Sequence, residues 1–74
     1  MKNDMQTLLE TLQAIEENIN ACQNRIGILE KNPPNYYFIF AKPWELDHDK
    51  AIAKRCLEHW KWRWNKYAKQ LPQY

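Results

Sequence analysis

The chain has 74 residues, 45% of them hydrophobic, and a formal charge of +2 from eleven basic and nine acidic side chains. A length of this order holds one small domain and cannot enclose a large core, so support from outside a single copy is expected. One glycine and four prolines, at 33, 34, 43 and 72, exclude a turn-rich sheet protein and a Gly-rich phosphate loop, and the absence of serine excludes a Ser/His/Asp triad.

The opening MKNDMQTLLE lacks the apolar segment of a signal peptide, and no run of about eighteen apolar residues follows. A cytoplasmic setting without membrane attachment is the expectation. Charge is divided along the chain: residues 1–31 carry three Lys/Arg against five Asp/Glu, and residues 32–74 carry eight against four.

The first element is a helix over 4–31. Met5, Leu8, Leu12, Ile15, Ile19, Cys22, Ile26 and Leu29 follow one another in steps of three and four, the seam of a helix lying at a shallow angle on another helix. Leu9 widens this stripe. Asn3 or Asp4 can cap the start, and NPPN at 32–35 ends it, because proline disfavours helical geometry in the residue before it.

A connection over 32–46 comes next. YYFIF, residues 36–40, is aromatic and β-branched and favours an extended strand, yet no second strand exists in the chain to pair with it. The expectation is an extended segment laid across the helices, with strand pairing between two copies as the alternative. Pro43 suits the first turn of a helix begun by KPWEL, and Asp47 or Asp49 would otherwise cap the main second helix.

That second helix is expected over 47–71, with its own stripe of Ala53, Leu57, Trp60, Trp64, Tyr67 and Leu71. At about 100° per residue Trp60 and Trp64 fall together on the inner face, while Trp62 is thrown to the opposite side. The acidic first helix and the basic second one favour folding back on each other. The sequence therefore predicts an all-α, antiparallel two-helix hairpin with an extended aromatic connection. Its seam comprises Leu8, Leu12, Ile15, Ile19, Ile26, Leu57, Trp60, Trp64 and Tyr67, and a homodimer forming a four-helix bundle would supply the missing core. Cys22 and Cys56 are expected as reduced, buried neighbours, too few for a disulfide scaffold.

Candidate chemistry is sparse. On the outer face of the second helix Trp62 is surrounded by Arg55, His59, Lys66 and Lys69 together with Glu58, with Arg63 at the edge. In one reading Trp62 covers the YYFIF segment or a second subunit and the lysines are simply solvated; in the other this face, extended by the loop aromatics, contacts another macromolecule, first of all another protein. The alternative is a nucleic-acid-binding regulator, with Arg55, Lys66 and Lys69 on phosphates and Trp62 stacked on a base.

WKWRWNKYAK has the Trp and Lys richness of membrane-surface helices, but its apolar face is claimed by the hairpin. Cys56 and His59 stand at i and i+3, with Cys22 and His48 as further ligand candidates, yet the pair diverges on the helical wheel, so no metal is expected. A Cys56 nucleophile with His59 as base would lack a cleft. Glu45, Asp47 and Asp49 read as acids complementing a helix N-terminus. The expectation is a small non-catalytic accessory or regulatory protein, in the habit of those carried by bacteriophages and mobile elements, with no cofactor and no small-molecule substrate.

Overall fold

The computed structural model describes residues 4–71. Helix α1 runs Asp4–Lys31, a short helix α2 runs Tyr36–Ile39, and helix α3 runs Glu45–Ala68. The two long helices pack against each other, and the molecule is a rod 52 Å long and 20 by 17 Å across. An antiparallel course follows from the ion pair between Lys54 Nζ, in the first half of α3, and Glu30 Oε1, at the end of α1, 3.0 Å apart.

Polar side chains inside α1 bond back to their own helix, Thr11 Oγ1 donating to the Thr7 carbonyl and Asn18 Nδ2 to that of Ala14, both at 2.9 Å. The helix stops before Pro33, its last turn closed by the Asn32 amide donating to the Ile28 carbonyl. Asp4 stands in the first turn of α1. Asn3, the other candidate cap, lies outside the described residues.

The connection is not extended. In α2 the amides of Phe38 and Ile39 donate to the Asn35 carbonyl, and those of Phe40 and Ala41 donate to Tyr36. A lone strand would leave its backbone groups unpaired, whereas one helical turn satisfies them within the segment, and this outweighs the strand propensity of aromatic residues.

Pro43 precedes α3, the cap position falls on Trp44 without a side-chain capping bond, and Asp47 and Asp49 lie inside the helix. So α3 begins two residues earlier than the sequence suggests and ends at Ala68. Its end frays into tight turns in which Gln70 and Leu71 donate to the carbonyls of Tyr67 and Ala68.

The core is a single line of contact. Leu12, Ile15 and Leu29 of α1 and Ala53 of α3 are the buried apolar side chains among the described residues. Leu8, Ile19, Cys22, Ile26, Leu57, Trp60, Trp64 and Tyr67 are half-buried, since two helices cover a seam from one side and leave its flanks to water. Trp60 and Trp64 therefore face inward without being enclosed. Cys56 is exposed and Cys22 half-buried, both free thiols, so the expected pair of buried cysteines is not formed.

Candidate interaction surface

Trp62 is nine residues beyond the buried Ala53, which at about 100° per residue places it diametrically opposite the seam. The residue is 60% exposed. One helical turn on, Lys66 lays its ammonium over the Trp62 ring at 5.4 Å from the centroid, a cation–π contact that holds the indole against the helix surface. Arg55, His59 and Lys69 are exposed along the same helix.

Arg63 departs from this group. It is half-buried, and its guanidinium lies over the Trp60 ring, 5.1 Å from the centroid, so it shields the flank of the seam. His59 also leans on Trp60, with ring centroids 5.6 Å apart and nearly perpendicular planes. The outer face thus consists of Arg55, His59, Trp62, Lys66 and Lys69, and Arg63 belongs to the packing of Trp60.

A second surface lies at the turn. Tyr36, Phe38, Ile39, Phe40 and Trp44 are 52%, 70%, 67%, 77% and 58% exposed. Four residues of helix have one turn only and cannot turn all their side chains inward. Tyr36 and Tyr37 are the anchors. The Tyr36 hydroxyl donates to Glu45 Oε2 at 3.2 Å and the Tyr37 hydroxyl to Asp49 Oδ2 at 2.5 Å, tying α2 to the first turns of α3.

Both bonds draw on the phenolic proton. The bond to Glu45 and the charge of Glu45 raise the Tyr36 pKa above the usual 10.0. For Tyr37 the bond to Asp49 and partial burial raise it, with Arg25 opposing. The rings stack locally, Tyr36 edge-on to Tyr37 at 5.4 Å and tilted against Phe40 at 6.3 Å. Trp44 meets the edge of His48 at 5.7 Å.

Beside this turn a cleft of about 360 Å³ opens between Arg25, Ile28 and Leu29 of α1 and Pro34 and Tyr37 of the connection. Among the described residues no three His, Cys, Asp or Glu side chains converge on a metal position, so Cys22, His48, Cys56 and His59 are not gathered into a site. Among the described residues no helix is long and apolar enough to cross a membrane.

The aromatic run itself was the available signal for the turn surface. Its reading as a covered strand hid the fact that, among the described residues, most of the run stays exposed. Compared with protein families, with curated proteins and with solved structures, the chain gives no match in any of the three.

Proposed function

We propose that this chain is a small non-catalytic accessory protein that acts by binding another protein and works as a pair of identical copies. The observation that carries the reading is the display of large aromatic side chains, Phe38, Phe40, Trp44 and Trp62, each more than half exposed. Monomeric proteins rarely leave such area open, and Trp, Tyr, Phe and Arg are the residues enriched at the centres of protein contacts. The partner-binding surface in this reading is the outer face of α3, with Trp62 as its anchor and Arg55, His59, Lys66 and Lys69 around it.

Self-association is supported by the thin core, in which tryptophans of the seam stay half-buried. In a four-helix bundle those half-buried seam side chains would pack against the second copy.

The second reading, nucleic-acid binding by the same face, has one observation in its favour: Lys66 on the Trp62 ring with Arg55 and Lys69 exposed beside it. The two separate in solution. Phosphate binding weakens log-linearly with added salt, whereas a protein contact centred on Trp62 tolerates moderate salt and is lost on Trp62→Ala. Capture of partners by tagged chain, compared with Trp62→Ala and Lys66→Glu variants across a salt series, tests both; an interaction indifferent to both substitutions rejects the α3 face.

A further inference from the structure

We infer that the second copy docks on the aromatic turn, so that Phe38, Ile39, Phe40 and Trp44 of two chains meet around a two-fold axis. This deepens the proposal that the chain works as a pair, and rests on it.

Three features point to a second copy as the occupant. The first is area. Five apolar or aromatic side chains of roughly 150–250 Å² each, exposed by half to three quarters, present on the order of 700 Å² within residues 36–44. That is comparable with the largest patch of an ordinary monomer and approaches the roughly 800 Å² that each partner contributes to a stable interface. Elsewhere among the described residues the large exposed apolar side chains are Met5 and Leu9 near the start of α1, Ile28 near its end, and Ile52 and Trp62 on α3.

The second feature is the rim. Lys42 and Asp47 are exposed on either side of Trp44 in sequence, and neither makes an ion pair within the described residues. Around a two-fold axis every patch meets itself, so a rim carrying one unpaired charge of each sign is self-complementary, each Lys42 facing the other copy's acid. A membrane is the less suited occupant. Residues 42–50 hold Glu45, Asp47 and Asp49 against Lys42 and Lys50, an acidic excess that anionic lipid would repel.

The third is preorganisation. The bonds from Tyr36 to Glu45 and from Tyr37 to Asp49 fix α2 on α3 before any partner arrives, which lowers the ordering cost of association.

The test is sedimentation equilibrium of the full chain over a range of concentrations. The expected wild-type mass is twice the 9.1 kDa of one chain. Phe38→Ser/Phe40→Ser should raise the dissociation constant at least tenfold, with helix content by circular dichroism unchanged because both side chains already face solvent. Lys42→Asp and Asp47→Lys should each weaken the dimer several-fold, and the double swap should recover it.

A wild-type chain that stays monomeric throughout overturns this assignment together with the dimer reading. A dimer indifferent to Phe38→Ser/Phe40→Ser, or lost only on Trp62→Ala, overturns the turn assignment while leaving self-association standing. A monomer that cosediments with phosphatidylcholine/phosphatidylserine vesicles through Phe38 and Phe40 assigns the turn to a lipid surface and also overturns it.

Discussion

The Tyr37 hydroxyl lies 2.5 Å from Asp49 Oδ2 and donates to it, so a phenol from the connection is held by a carboxylate in the opening turns of α3. With the parallel bond from Tyr36 to Glu45, this couples the geometry of the aromatic turn to the protonation of two tyrosines.

Because the folded chain holds both phenols above their usual pKa of 10.0, the unfolded chain releases these protons first as pH rises. The stabilisation from the two bonds is then fully present below pH 10 and is lost as pH climbs through the raised values. Denaturant midpoints measured at about pH 8 and about pH 11 should fall for the wild type, and the fall should be smaller for Tyr36→Phe/Tyr37→Phe. Equal falls in both proteins would mean that other groups, lysines above all, carry the alkaline transition.

Gly27 sits inside α1 with a helical, negative φ, and a Cβ built there meets nothing within 4 Å. Glycine in a helix interior costs about 0.5–1 kcal/mol relative to alanine through the entropy of the unfolded chain. Gly27→Ala should therefore stabilise the protein by about that amount in urea unfolding.

Trp60 and Trp62 are neighbours in sequence with opposite duties. Trp60 is half-buried beneath Arg63 and His59, and Trp60→Ala should cost about 2 kcal/mol, below the range for an enclosed tryptophan. Trp62→Ala, on the open face, should change stability by less than about 0.5 kcal/mol. Comparable losses from the two would place the second indole in the fold rather than on the contact face.

Lys54 and Glu30 make a surface ion pair, more than 40% exposed on both sides. Such pairs contribute about 0.2–1 kcal/mol and fade with salt. Lys54→Glu alone should destabilise by a few tenths of a kcal/mol, the Lys54→Glu/Glu30→Lys swap should restore stability, and the recovery should shrink at high salt. A swap without recovery would argue against the observed alignment of α1 and α3.

The long helices were legible because their apolar residues recur at the helical period. The positions that spacing selected in α1 include Leu12, Ile15 and Leu29, three of the four buried side chains. The outward direction of Trp62 followed from the same angular count. The turn was not legible: local propensity in YYFIF points to a strand, and whether a strand forms depends on a partner elsewhere in the chain. The place of Arg63 was equally hidden, since a residue at the edge of a helical wheel goes to whichever side offers its guanidinium a ring.

Periodicity along the chain, then, was enough to establish two amphipathic helices and which indole faces water, because each helix repeats its angular geometry every few residues whatever surrounds it. Only the tertiary structure decided that the connection coils into α2, that Tyr36 and Tyr37 anchor it, and that Phe38, Ile39, Phe40 and Trp44 stay uncovered. Those outcomes depend on which groups from distant parts of the chain reach one another, and local spacing carries no record of that.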